Sequence, residues 1–403
     1  MQLKNRTFLK AVFRPAYSLS IRSITRKNIP YLVGWVCIFI WLYSYFLPMG
    51  GFRFESELYN HNVGNSTKYF YVWLLTGSLI PVFFDGRKFV SKTFYSVVIT
   101  LICFFVLRFT GAGLLSQSIM LVTAVCIGHI FASNIYAFVM VLNNSEKFYS
   151  MILAVLMPKV LMFIKPALAQ IHSSFDLPSI IILIIIIILA VCSYFYKYST
   201  NEMPHSAGVK APAKAYALMP IVFVVLAIND VVAPITIAQI TNLTINQNEE
   251  YYFCGVIIGI AAVFLIQRRF SVNICNMLNI SFALLAIGFV IEIISFQTSK
   301  AGSAADVCFG ISYAIGIINI YYLAGFMAKK FQSVTFYRVV IALAALYYLM
   351  TFTILEVFKK YEMLPPVFMA LVCVCIVILF FLLTPFFCKN PLLRGMDRRQ
   401  LSS

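Results

Sequence analysis

From Ile180 to Cys192 the chain reads IIILIIIIILAVC, a run without one charged or hydroxyl side chain. Such runs recur along the whole sequence, at 29–49, 68–84, 90–110, 113–142, 148–170, 177–197, 215–241, 251–267, 272–296, 304–328, 334–357 and 365–387. Crossing the hydrocarbon core of a bilayer takes about 20 apolar residues as a helix. A helix also satisfies its backbone hydrogen bonds within one segment, as hydrocarbon demands. The pattern therefore predicts an all-α polytopic membrane protein of about twelve transmembrane helices. Composition agrees, with 62% hydrophobic and 11% charged residues, against about 25% charged in soluble domains. The isoleucine-rich run is expected to face lipid, and the connections are too short to hold a soluble domain.

A net charge of +17 raises the question of nucleic acid, and the placement of the charge excludes it. Lys and Arg crowd the tail 1–28, the 85–92 connection, the segment after 197, the Arg268–Arg269 pair and the tail 389–403. Alternate connections hold few, among them Arg53, Lys68, Lys300, Lys359 and Lys360. This is the positive-inside bias of a protein in a lipid bilayer, and it places both termini in the cytoplasm. The basic, acid-free first 28 residues would also suit an organelle transit peptide. Short loops and bare termini favour a bacterial inner membrane. The ten cysteines fall almost wholly inside apolar runs, without the spacing of a metal site or a disulfide framework. Neither a metal nor a cofactor is expected.

The polar segment KYSTNEMPHSAGVKAPAK at 197–214 lies mid-chain with about six spans on each side. It divides the sequence into a basic tail (1–28), a six-helix half (29–197), a linker (198–214), a second six-helix half (215–388) and a tail (389–403). Between the second and third spans stands GSLIPVFFDGRKFV, and between the eighth and ninth LIQRRFS. Asp85, Gly86, Arg87 and Lys88 match the end of a loop of acid, glycine and basic pair, and Arg268 with Arg269 match its second copy. In these residues the chain resembles the major facilitator superfamily. Read physically, such a loop is a latch in which an acid at one helix end pairs with basic groups of a neighbour; the plain alternative is a tight Asp-Gly turn beside inner-side cations. The resemblance implies two six-helix halves, alternating access, and a cavity lined by the first, fourth, seventh and tenth helices. The fourth span lacks the arginine of proton-coupled exporters and the fifth lacks the glycine-proline pattern of drug antiporters, so a drug antiporter is not implied.

Each of those four helices carries polar groups on one side at about 100° per residue. Gly34, Trp41, Ser44 and Tyr45 lie on the first; Ser118, His129, Ser133 and Tyr136 on the fourth; Asn229, Asp230, Thr236 and Gln239 on the seventh; Ser312, Asn319 and Tyr322 on the tenth. Small and hydroxyl residues also pack membrane helices together, so each stripe has a structural reading beside the functional one. Asp230 is the sharpest case, since a carboxylate at bilayer depth persists only where water or partners meet it. It suits a transported proton, a cationic substrate group, or Lys159, a central lysine beside Pro158. Pro158 and Pro234 free helix carbonyls nearby. The substrate and proton site is thus expected at Asp230, Asn229, Lys159, His129, Tyr136, Asn319, Tyr322, Trp41 and Tyr45, with a latch of Asp85, Arg87, Lys88, Arg268 and Arg269. No catalytic residue is expected. Two alternatives stand beside the transporter: a sensor that binds a ligand without moving it, and a multi-span transferase using Glu55, Glu57 and His61 of FRFESELYNHN.

Overall fold

A computed structural model describes residues 24–43, 72–80, 86–110, 113–171, 177–199, 249–270, 274–298 and 302–331, and five isolated positions beyond 341. These residues are helical nearly throughout, with no strand among them. In chain order the helices are α1 (Ile29–Tyr43), α2 (72–79), α3 (Gly86–Ser91), α4 (Thr93–Phe109), α5 (Leu114–Tyr136), α6 (Asn144–Ile171), α7 (Leu177–Ser199), α8 (Glu249–Phe270), α9 (Ile274–Thr298) and α10 (Gly302–Phe331). Of these, Lys88–Leu107, Leu114–Val141, Glu250–Gln267 and Ser303–Tyr322 contain stretches long and apolar enough to cross a membrane, and Ile180–Tyr196 and Met277–Glu292 are shorter apolar runs. The seventh expected span lies outside the described residues, and so do the eleventh and twelfth apart from those five positions.

The helices overlie the apolar runs of the sequence, and their ends differ where local chemistry decides. A helix was expected from 148, yet α6 begins at Asn144 because Asn143 and Glu146 cap it reciprocally. The Glu146 amide donates to Asn143 Oδ1 at 2.9 Å and the Asn143 amide to Glu146 Oε2 at 2.8 Å. That is a capping box, in which two otherwise orphaned amides satisfy each other's residues. GRKFVS, read from sequence as part of a loop, is the helix α3. Between α5 and α6, Ala137–Val141 form one turn of π-helix, closed by the Leu142 amide on the Ala137 carbonyl.

The chain divides into two compact units, 22–219 with 324–350, and 220–323 with 1–21 and 351–403. In the first, α1 packs against α5, α6 and α7, while α4 packs against α5 and α7. The isoleucine run of α7 splits between two faces. Ile182, Ile185, Ile186 and Leu189 are buried, whereas Ile184, Ile187, Ile188 and Val191 are exposed, as a face turned to lipid would be.

Among the described residues, each unit holds a pair of helices at backbone contact. A Cβ on Gly77 of α2 would collide with the Val125 carbonyl of α5; one on Gly128 of α5 would collide with the Leu74 carbonyl and stand 2.7 Å from the Ser78 nitrogen. In the other unit a Cβ on Gly255 of α8 would strike the Val307 carbonyl of α10, and one on Gly310 the Tyr252 carbonyl, 2.8 Å from the Val256 nitrogen. The register is the same in both. The struck carbonyls of Val125, Leu74, Val307 and Tyr252 each stand three residues before the glycine of their own helix. Only a residue without a side chain allows this approach, which gains van der Waals contact where the hydrophobic effect offers nothing. Ser78 adds to the first seat, its hydroxyl lying 2.9 Å from the Leu74 carbonyl and 3.3 Å from that of Gly128.

Overpacking against a backbone that cannot yield costs at least about 1–3 kcal/mol. Gly128→Val and Gly310→Val should therefore each lower the thermal midpoint of the purified protein in detergent. Gly113→Ala, where an added Cβ meets nothing within 4 Å, should leave it unchanged; fluorescence-monitored melting checks all three.

Candidate functional site

The polar face of α1 has two parts. At its N-terminal end Gly34 admits Tyr196 of α7: a Cβ there would collide with the tyrosine hydroxyl and stand 2.7 Å from Asn134 Oδ1. The Tyr196 hydroxyl donates to Asn134 Oδ1 at 2.9 Å, Asn134 Nδ2 donates to the Ile130 carbonyl at 2.8 Å, and Tyr31 stacks on Tyr196 at 4.3 Å between centroids. Beside them Trp35 stacks on Phe138 at 4.3 Å and turns its indole N–H to Met151 Sδ at 3.3 Å. Here polarity serves the packing of α1, α5, α6 and α7.

Two turns further along α1, Trp41 is 1% exposed, and its indole N–H has no acceptor among the described residues. Ser133 of α5 is fully buried with its hydroxyl equally unmatched. A buried polar group left without a partner costs about 1–3 kcal/mol. Tyr136, at the last position of α5, is buried immediately before the π turn.

The other candidates fall as follows. His129, on α5, is held against α4 and α3, with Nδ1 2.5 Å from the Ser96 hydroxyl, Nε2 3.2 Å from the Phe89 carbonyl, and its ring edge-on to Phe89. Both ring nitrogens are engaged by neighbouring helices. Lys159 is half-buried on α6. Asn319 and Tyr322 are fully buried on α10, the Asn319 amide donating to the Ile315 carbonyl of its own helix at 2.6 Å. Ser312 is occupied in a reciprocal pair with Ser281 of α9, each hydroxyl donating to the other's carbonyl at 2.8 Å. Asn229, Asp230, Tyr45 and Asp85 lie outside the described residues, as do Glu55, Glu57 and His61 of the transferase alternative. In the expected latch, Lys88 is exposed on α3, Arg87 stands on the same helix, and Arg268 and Arg269 stand in the last turn of α8.

Sequence reasoning missed a second buried cluster, where α6 begins. Glu146 is fully buried; Oε1 accepts the Thr25 amide at 2.8 Å and Oε2 the Asn28 side-chain amide at 2.8 Å, in addition to Asn143. Next to it Lys147, also fully buried, donates to the carbonyls of Val139 at 2.9 Å and Gly325 at 2.8 Å. The capping pattern Asn143-x-x-Glu146 was the signal for the first. For the glycine seats the signal was the repeated Val-Cys-x-Gly of residues 125–128 and 307–310. No cluster of three or more metal-ligating side chains occurs among the described residues.

No protein-family profile matches the sequence, and no curated protein matches it. Solved structures do. A bacterial homologue of the iron transporter ferroportin in an outward-facing state aligns with a TM-score of 0.59 at 10% identity, over 90% of this chain and 100% of that one. The Escherichia coli fucose:proton symporter FucP aligns with a TM-score of 0.57 at 12% identity, over 90% and 99%. The proton:xylose symporter XylE aligns with a TM-score of 0.55 at 12% identity, over 95% and 96%. The chain is a multi-pass, all-α membrane protein, and its fold is like that of the major facilitator superfamily.

Two substitutions separate the parts of the α1 face. Tyr196→Phe removes a hydrogen bond and leaves Asn134 Oδ1 short of a donor, and should cost roughly 1–2 kcal/mol. Trp41→Phe loses no hydrogen bond among the described residues; the cavity left by the smaller ring is offset by removal of an unmatched donor, so its melting midpoint should fall less than that of Tyr196→Phe. Parallel melts of the two purified variants make the comparison.

Proposed function

We propose that the chain is a secondary active transporter that moves a small organic solute across a cell inner membrane by alternating access, linked to protons. The observation that carries this reading is the likeness of fold over nine-tenths or more of the chain to solved structures that are themselves transporters. The matching glycine seats of α2 on α5 and α8 on α10 favour two halves built on one plan, 29–197 and 215–388, and the bias of Lys and Arg favours both termini in the cytoplasm. In this reading the halves rock about a central site, as repeated transporters do.

The solute site draws on Trp41, Tyr45, Tyr136, Asn229, Asp230, Lys159, Asn319 and Tyr322. The indole N–H of Trp41 fits a solute acceptor, since a buried donor without a partner gains most from one. Asp230 takes up and releases the coupled proton, with Asn229 beside it. Lys159 meets an anionic part of the solute or Asp230 itself. His129 belongs to the scaffold here, because its two nitrogens already join α5 to α4 and to α3. A cation and an anion beside aromatic rings suit an amphipathic or zwitterionic solute. The latch of Asp85, Arg87, Lys88, Arg268 and Arg269 guards the cytoplasmic end.

The test is thermal stabilisation of wild type and Asp230→Asn by a panel of metabolites at about pH 5.5 and about pH 7.5. A ligand binding the folded state alone raises stability by about 2.7 kcal/mol at a hundredfold excess over its Kd. Stabilisation that depends on pH in wild type and not in Asp230→Asn is the expected outcome. Equal behaviour of both proteins under every condition would remove Asp230 from the coupling and leave Lys159 as the next candidate.

A further inference from the structure

Lys147 makes a contact that neither the solute site nor the latch uses. Its ammonium joins the carbonyl of Val139, inside the π turn, to that of Gly325, near the C-terminal end of α10. The three groups are fitted to one another. A π turn breaks the regular helical ladder, and such turns are frequent at functional positions. Gly325 must lack a side chain: a Cβ would stand 2.8 Å from Phe138 Cε1 and 3.4 Å from Lys147 Cδ. Phe138 cannot retreat freely, since its ring is stacked on Trp35 of α1.

The chemistry of the contact suits making and breaking. Bonds from an ammonium to a carbonyl are charge-assisted and stronger than neutral ones. A lysine is nonetheless a compact charge with three donors on a flexible stem, without the fixed fork that binds arginine to one geometry. It can release one carbonyl to water while keeping the other. Glu146, the neighbouring acid, is engaged by Thr25, Asn28 and Asn143, which anchor the start of α6 from which Lys147 projects.

We propose that Lys147 is a releasable clasp on the backbone of α10, holding Gly325 in the state seen here and letting go when that end of the protein opens to water. The opening itself rests on the transporter reading, whereas the grip is measurable without any solute.

The experiment is hydrogen–deuterium exchange with mass spectrometry on the full-length protein, comparing wild type with Lys147→Met and Gly325→Ala. The first keeps most of the side-chain volume without the donors; the second keeps the lysine and displaces the carbonyl. Exchange should rise several-fold in both variants over segments 137–150 and 323–331, and fall over 110–118 and 298–305 at the opposite helix ends. That reciprocal change is the signature of a shift between two conformers. A rise in all four segments, with a lower melting midpoint, would mean a lysine that only stabilises, and would overturn the clasp. Unchanged exchange in both variants would also overturn it. A reciprocal change in a protein that transports nothing would uphold the clasp and count against the transporter reading alone. Should Lys147→Met fail to purify as a single species, Gly325→Ala decides by the same readout.

Discussion

The seat of Gly128 on the Leu74 carbonyl fixes the position of α5, and much of its unit follows from that helix. Lipid chains are as apolar as leucine, so membrane helices associate through close packing and internal hydrogen bonds rather than escape from water. With α5 held against α2 at backbone distance, its next residue, His129, falls toward α4 and meets Ser96, while Asn134 falls toward α1 and α7 and meets Tyr196. The residues between them inherit their directions from the helical repeat of about 3.6 residues per turn. The π turn then shifts that register by part of a turn, which brings Phe138 onto Trp35 and turns the Val139 carbonyl to Lys147. The same seat in the other unit places Ser312 against Ser281.

A second constraint is the scarcity of polar groups and how they are spent. Most buried polar side chains on α1, α4 and α5 are bonded to a neighbouring helix or to a carbonyl of their own helix. Against that background the unmatched indole of Trp41 and the hydroxyls of Thr93 and Ser133 stand apart among the described residues. An unmet donor in a dry interior is a standing cost, and a protein that binds a hydroxylated or charged solute there would recover it. Glu146 and Lys147 show the opposite economy: two fully buried charges, adjacent in sequence, whose bonds reach carbonyls and amides of distant segments.

The helices were legible in the sequence because hydrophobic length is a strong signal, and α8, α9 and α10 lie within a few residues of the expected 251–267, 272–296 and 304–328. Their ends were less so, since capping decides them: the box of Asn143 and Glu146 lay in plain view in NNSE and was passed over. The site was only partly legible. A stripe of small and hydroxyl residues looks alike whether it lines a cavity or seats a neighbouring helix, and Gly34, His129 and Ser312 all face neighbouring helices. Reading Trp41 apart from Gly34 required knowing what stood opposite each. The burial of Lys147 was not legible, because sequence gives the sign of a charge and not its depth.

Whether this fold carries a solute is the claim on which the reading turns, and counterflow measures it most directly. The full-length protein would be reconstituted into vesicles preloaded with a mixture of unlabelled sugars, organic acids and amino acids, then diluted into trace labelled counterparts. A carrier that alternates its access predicts transient accumulation of at least one label above its outside level, driven only by exit of the unlabelled solute. Labels that merely equilibrate, at the rate of protein-free vesicles, would contradict the account.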